Sequence, residues 1–373
     1  MNRRIKLGIV GVGRALFVAE VNHASLNAFD VTAVCDPNDE RLQNALRNPQ
    51  LGLTQARAFS TFEDLLAHGD IEAVVIGSPM PLHATQAMAA LRRGIHVLSE
   101  VTAGVSLDEC RALVETCRTS RAIYFFAENM NYFRHVALVT ELVRRGLFGE
   151  TYYAEAEYIH ELKAMQLETP WRRHWHTGIN GITYGTHSLG PVLQWMPGDR
   201  VVSISCVGSG HHQVDALNAP FEMEDTCVML GKTARGGLIK IRLDFLTDRP
   251  GGHFFTLQGK DGTYESSRGP DEKHKIWLRS RAGNSGRQWS DLNDLADEFL
   301  PEFWKRNEAA AVAASHGGSD YFVARDFALT VLGQIPCPIG IHEAMDMTLP
   351  GLISQASIQQ QGAWLPVPDS RTW

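Results

Sequence analysis

The sequence predicts a two-domain α/β chain: an N-terminal doubly wound parallel sheet, then an α+β domain whose sheet is mostly antiparallel. Three observations carry this. At 373 residues the chain can bury two separate cores. Up to about residue 128, short apolar runs alternate with helical segments, which implies a parallel sheet. From Asn129 onward, longer alternating strands take over, as in an antiparallel sheet with one covered face. The expected domains are 1–128 and 129–373.

Taken in order, Ile5 to Val10 reads as a first strand, and the glycines after it open a helix from about Arg14 to His23. Val31 to Cys35 is a second strand, stopped by Asp36-Pro37. Ala73 to Ile76 and His96 to Ser99 follow as buried strands. Ser106-Leu107-Asp108-Glu109 is a capping box, and Leu107, Cys110, Leu113, Val114 and Cys117 form the apolar face of its helix. Ala122 to Phe126 completes the first sheet.

A helix from Tyr132 to Arg145 ends at Gly146, with Arg144 and Arg145 complementing the helix dipole. Strands follow at Tyr152–Tyr158, Val201–Val207, Thr226–Leu230, Gly237–Phe245 and Phe254–Gln258. Gly259-Lys260-Asp261-Gly262 reads as a hairpin turn. Helices from Tyr321 to Leu332 and from His342 close the chain, with Pro350 expected at a break or kink.

The net charge of -7 argues against a nucleic-acid partner. No run approaches the roughly 18 apolar residues of a membrane span. Met1-Asn2-Arg3-Arg4 imitates a signal peptide, but glycines and Arg14 interrupt the apolar stretch. The six cysteines have neither disulfide-framework nor zinc spacing; Cys35, Cys110, Cys117 and Cys227 read as small core residues. A cytoplasmic protein is expected.

The chemistry starts at Gly8-Ile9-Val10-Gly11-Val12-Gly13, a glycine turn between strand and helix that lets backbone approach a pyrophosphate. The third position of the fingerprint is Leu16 rather than glycine. Asp36, ending the second strand, can accept from both ribose hydroxyls and would repel a 2′-phosphate, so NAD is favoured over NADP in this Rossmann domain. Ser78, Glu100, Glu128 and Asn129 all lie at carboxyl ends of strands, where such sheets hold ligands. His83 either touches the cofactor or begins a helix. Glu128 either serves the sugar or a base role, or caps the crossing chain.

The densest region is Pro170-Trp171-Arg172-Arg173-His174-Trp175-His176, leading through a glycine-rich loop to Tyr184-Gly185-Thr186-His187 and a helix from Ser188 to Trp195. Tyr184 and His187, three apart, can share one face of a helical turn, and phenol and imidazole suit proton transfer. His174 and His176 lack a carboxylate or cysteine to complete a metal set. Arg172 and Arg173 either pair an acidic sugar substituent or form internal ion pairs.

At these residues the chain resembles the glucose–fructose oxidoreductase and inositol dehydrogenase superfamily over essentially its whole length. Glu100-Val101-Thr102-Ala103, Ala127-Glu128-Asn129, Gly146-Leu147-Phe148-Gly149-Glu150, Ala154-Glu155-Ala156-Glu157-Tyr158-Ile159-His160 and Tyr184-Gly185-Thr186-His187-Ser188-Leu189-Gly190-Pro191 resemble its NAD-dependent glycosidase branch, of which α-N-acetylgalactosaminidases are the best known. Dehydrogenases of the superfamily carry a lysine where Val101 stands and an aspartate where Thr183 stands. Thr102 replaces the branch's proline, and Gly185 replaces the proline of its Tyr-Pro-Thr-His, which is expected to loosen the loop.

The resemblance implies an NAD site of Gly11, Gly13, Arg14, Asp36, Ser78, His83, Glu100, Val101, Asn129 and Tyr184. It implies a sugar site of Tyr158, Arg172, Gly185, Thr186, His187 and Tyr264. His187, Tyr158, Tyr184 and Glu128 are the expected catalytic groups. The implied reaction oxidises the sugar at C3 with NAD⁺, removes the acidified C2 proton, eliminates the glycosidic oxygen, adds water at C1 and returns the hydride. No pair of carboxylates need flank the bond. The alternatives are a net 3-dehydrogenase of sugars or glycosides and a non-catalytic sensor of NAD or sugar. A homo-oligomer is expected from the same resemblance.

Overall fold

The computed structural model describes residues 3–68, 70–282 and 286–373. Met1 and Asn2, which open the signal-like start, lie outside the described residues. The chain forms two compact units. One comprises 1–132, 307–345 and 370–373; the other comprises 133–306 and 346–369. The first unit's main segment ends at 132, close to the expected boundary after residue 128, and two later segments join it. The sequence pattern hides this: a returning helix reads like any other amphipathic segment.

In the first unit, β1 (Ile5–Val10), β2 (Phe29–Cys35), β3 (Arg57–Phe59), β4 (Ala73–Ile76), β5 (His96–Ser99) and β6 (Tyr124–Phe126) form a sheet in the order β3-β2-β1-β4-β5-β6. Every pairing in it is parallel. The order reverses beside β1, so the carboxyl ends of β1 and β4 flank the crevice where α/β sheets bind ligands. β4 is buried along its whole length, as its unbroken Ala-Val-Val-Ile run requires of a strand covered on both faces. The helix Ser319–Val331 belongs to this unit, and its Phe327 ring lies 6.2 Å from Phe29 and 5.9 Å from Phe125.

The capping box forms with a shift. Ser106 Oγ accepts from Glu109 N at 3.2 Å, while Glu109 Oε2 accepts from Val105 N at 2.9 Å, one residue before the cap.

In the second unit, the strands are β7 (Thr151–Ile159), β8 (Val201–Gly208), β9 (Thr226–Thr233), β10 (Leu238–Asp244), β11 (Gly252–Gly259), β12 (Gly262–Glu265), β13 (Lys275–Leu278), β14 (Ser290–Asp291) and β15 (Leu365–Pro366). Their order is β14-β13-β12-β11-β7-β10-β9-β8-β15. The sheet is mixed: β7 and β10 run parallel, and the other pairs are antiparallel. The long excursion through the helix Thr186–Gln194 and the β8–β9 pair brings the chain back to β7 in the same direction. Buried and half-exposed residues alternate along β9 and β10, the mark of one covered face. Lys260-Asp261 joins β11 to β12 as the expected hairpin.

The helix expected from Tyr132 to Arg145 runs from Arg134 to Arg144, preceded by a 3₁₀ turn Asn129–Tyr132. The final helix runs from Ile341 to Gln359 with Pro350 inside it, not at a break. A proline removes one backbone donor, and this largely buried helix accommodates that loss.

Candidate active site

Gly11 sits at φ +88°, and a Cβ there would lie 2.6 Å from the Gly77 carbonyl oxygen, so only glycine fits. A Cβ on Gly13 would meet nothing within 4 Å, leaving open space beside the turn. The missing third glycine is compensated nearby. A Cβ on Gly77 would come within 2.8 Å of Ala15, so Gly77 and Ala15 supply the close helix–strand approach that Leu16 does not. Asp36 is fixed at the end of β2: Oδ2 accepts from Val12 N at 2.9 Å and Oδ1 from Asn38 N at 2.9 Å. Each oxygen keeps a lone pair for a ribose hydroxyl.

Arg14 is the centre of a charged network. It donates to both oxygens of Asp320, at 2.7 and 2.6 Å, and its Nε lies 3.1 Å from Glu100 Oε1. Asp320, 0% exposed, also accepts from Asn129 Nδ2 at 3.1 Å and from Ser315, and His316 Nδ1 lies 2.9 Å away. Burial works to raise the Asp320 carboxyl; hydrogen bonds and charge from Arg14 and His316 overcome it and hold the group well below the usual range. Asn129 Oδ1 is buried and has no hydrogen-bond partner among the described residues. An acceptor orphaned in this way is the kind of atom that a polar ligand group satisfies. The glycine cradle, the Asp36 carboxylate and this acceptor fit a dinucleotide.

His83 begins the helix His83–Arg92 and is fully enclosed. Its Nδ1 is 3.0 Å from the Thr102 carbonyl and its Nε2 is 2.8 Å from the Ser78 carbonyl. Burial lowers its affinity for a proton, with the two carbonyls working in the opposite sense. His83 thereby ties the ends of β4 and β5 together. Val101 is buried, and Ser78 Oγ donates to Gln86 Oε1 at 2.6 Å. Glu128 is fully buried, and its Oε1 accepts from Met130 N at 3.1 Å. Through that bond it caps the turn Asn129–Tyr132.

The second unit gathers rings. Tyr158, near the end of β7, stacks on His253 of β11 at 4.5 Å, its partner in the strand register. Its ring is 5.4 Å from His187 and 6.2 Å from Tyr184. Tyr184 and His187 meet edge to face at 5.2 Å, as their spacing requires, and His176 lies 4.6 Å from Tyr184. The Tyr158 hydroxyl is 3.0 Å from His160 Nδ1. Arg172 packs over Trp171 at 4.6 Å and its Nη1 is 3.1 Å from His176 Nδ1. The two arginines separate cleanly: Arg173 is taken up by Glu222 at 2.5 Å and Asp215 at 3.3 Å, while the buried Arg172 Nε has no hydrogen-bond partner among the described residues.

The loop carrying Tyr184 is tied down. Ile182 N donates to Ser354 Oγ at 2.8 Å and Gly185 N donates to Ile182 O at 3.1 Å. A Cβ on Gly185 would lie 2.7 Å from Ile182 Cγ2. Gly185 is therefore a packing position rather than a loosening one. Thr186, in the first turn of the helix Thr186–Gln194, is buried with its hydroxyl unpaired among the described residues.

Tyr264 lies in the core of the second unit. It is 0% exposed in β12, edge to face with Trp195 at 5.6 Å, its hydroxyl 3.3 Å from His274 Nδ1. It has no surface to offer a sugar. His160, His253 and Asp320 were not among the expected site residues. His160 had a signal, since it stands two residues from Tyr158; the others meet their partners only through tertiary structure.

A Rossmann dinucleotide unit and a second unit bearing a tyrosine–histidine cluster define an NAD-dependent enzyme with a small-molecule substrate. Residues 5–128 match the oxidoreductase family with an NAD-binding Rossmann fold, and residues 132–372 match the C-terminal domain of glycosyl hydrolase 109. The chain belongs to glycosyl hydrolase family 109. It is 29% identical to a glycosyl hydrolase family 109 protein of Saccharopolyspora erythraea, covering 98% of this chain and 83% of that one. A family 109 protein of Shewanella woodyi is 27% identical, with 98% and 84% covered.

Among solved structures, the fold is similar to the WlbA dehydrogenase from Bordetella pertussis in complex with NADH and UDP-GlcNAcA. The TM-score is 0.75 at 21% identity, with 99% of each chain covered. A levoglucosan dehydrogenase in complex with NADH gives a TM-score of 0.81 at 16% identity, covering 98% of this chain and 100% of that one. The cofactor is NAD, and the enzyme is an NAD-dependent glycoside hydrolase. No helix among the described residues is long and apolar enough to cross a membrane.

Proposed function

We propose that Tyr158, Tyr184, His187 and Arg172 hold the sugar of a glycoside whose bond is cleaved by elimination next to a transient ketone. The observation that carries this assignment is the meeting of Tyr158, Tyr184 and His187 rings within 5.2–6.2 Å of one another. Gly11, Gly13, Arg14, Asp36, Ser78, Glu100, Val101 and Asn129 hold the dinucleotide, with His83 fixing the backbone at Ser78 and Thr102. NAD, when bound, supplies a temporary store for two electrons from a sugar carbon.

Tyr158 takes the proton from the carbon made acidic beside the ketone. His187, 8% exposed and edge to face with Tyr158, gives a proton to the departing oxygen. Tyr184 offers a ring face that positions the sugar, and Arg172, which pairs with no carboxylate among the described residues, binds its hydroxyls or an acidic substituent. No pair of carboxylates is needed at the bond.

We place the enzyme in the cytoplasm as a homo-oligomer. Six free cysteines support the first. Support for the second is the exposed apolar surface at Val207 and Leu230 on neighbouring strands of the second unit.

The test is a panel of nitrophenyl glycosides with phenol release and NADH absorbance followed together. Phenol release without accumulating NADH is expected. Stoichiometric NADH with no released sugar would make the enzyme a dehydrogenase instead.

A further inference from the structure

The Tyr158 hydroxyl has a partner to which the proposed reaction assigns no role. We propose that His160 is the proton partner through which Tyr158 works, receiving the phenol's proton on Nδ1 as the phenol takes one from the sugar. This rests on the function proposed above. Tyr158 lies near the end of β7 and His160 directly follows the strand, two residues on, and the phenol oxygen and imidazole nitrogen are 3.0 Å apart.

The step balances without another reactant. In the 3-keto sugar the C2–H bond breaks and its electron pair passes into the enolate. The proton bonds to the Tyr158 oxygen, and the former phenol proton bonds to His160 Nδ1. One negative charge appears on the sugar and one positive charge on the imidazole. A phenol alone is a poor acceptor near neutral pH, because it must first lose its own proton.

The surroundings keep His160 ready to accept. Burial disfavours its charged form, and Arg172, from the helix Trp171–Trp175, and His187, from the helix Thr186–Gln194, act in the same direction. Glu161, next along the chain, opposes them, and the balance holds His160 below the ordinary histidine value. Its backbone is fixed by a 2.9 Å bond from its N–H to Asp244 O on β10. His253 of β11 packs on the other partner, against the Tyr158 ring.

The experiment compares the holoenzyme with His160→Asn and His160→Gln, using a nitrophenyl glycoside that the enzyme cleaves. Deuterium at C2 of the released sugar is read after turnover in D₂O, and kcat is read against pH with protiated and 2-deuterated substrate. An amide oxygen can accept the phenol hydrogen bond but cannot take the proton. Expected is a loss in kcat of about 10²-fold or more, disappearance of the acidic limb, and a larger C2 isotope effect, with NAD affinity and melting temperature near wild type.

Variants that keep the wild-type rate, or lose rate while keeping the acidic limb, overturn the role of His160. A wild-type enzyme that places no deuterium at C2 overturns the elimination reading beneath it.

Discussion

Asp320→Asn is the sharpest perturbation of the cofactor unit. The wild-type carboxylate is 0% exposed and receives both arms of the Arg14 guanidinium at 2.6 and 2.7 Å. Removing one partner of a buried ion pair costs about 3–5 kcal/mol when the other charge is stranded. Arg14 is not fully stranded, because its side chain is 28% exposed and Glu100 lies 3.1 Å from its Nε. A cost of about 2–3 kcal/mol is therefore expected, below the cost of stranding a fully buried partner.

At about 2–4 °C per kcal/mol for a unit of this size, the melting temperature falls by about 4–12 °C. The pH dependence follows from the depressed carboxyl. Its stabilisation is fully present above the unfolded value of about 3.9 and fades as pH falls toward the folded value. The variant's melting curve against pH should be flatter below about pH 4. NAD affinity, read by calorimetry, should weaken at least about tenfold as Arg14 loses its fixed position, on the basis that 1.4 kcal/mol is tenfold. A variant with wild-type melting temperature and wild-type NAD affinity would refute the reasoning.

Other substitutions separate structural from functional roles. His83→Gln should destabilise the first unit; because burial depresses this histidine, its wild-type contribution is present above about pH 6.5 and fades as pH falls through the folded value, which melting curves against pH check. Gly185→Pro should cost about 1–3 kcal/mol, since it removes the bond to Ile182 O and overpacks Ile182; a melt shows it. Tyr264→Phe should cost only about 0.5–1.5 kcal/mol and leave KM unchanged, as befits a core residue; a raised KM would return Tyr264 to the sugar site. Arg172→Gln should move the acidic limb of kcat upward, because it removes a positive charge that holds His160 down.

The first sheet was legible because its strands are short, apolar and separated by helical patterns; Ala73–Ile76 and His96–Ser99 match residue for residue. Periodicity reports what a residue's own element does and nothing about its distant neighbours. That is why Tyr184 and His187, three apart in one turn, were readable as a pair. Asp320, 306 positions from Arg14, was not. His253 meets Tyr158 only through the register of β7 and β11, which no local pattern encodes. The parallel pairing of β7 with β10 was hidden for the same reason. A carboxylate at a strand end suits both a ligand and a backbone cap, so the Glu128 cap on Met130 N was open in the sequence.

The central claim is that glycoside cleavage depends on a recycled dinucleotide. The most direct measurement is phenol release from a nitrophenyl glycoside by enzyme freed of NAD by unfolding and refolding, before and after NAD is restored in catalytic amount. The account predicts no cleavage without NAD, recovery with it, and no net NADH. Equal cleavage by the NAD-free enzyme would contradict it.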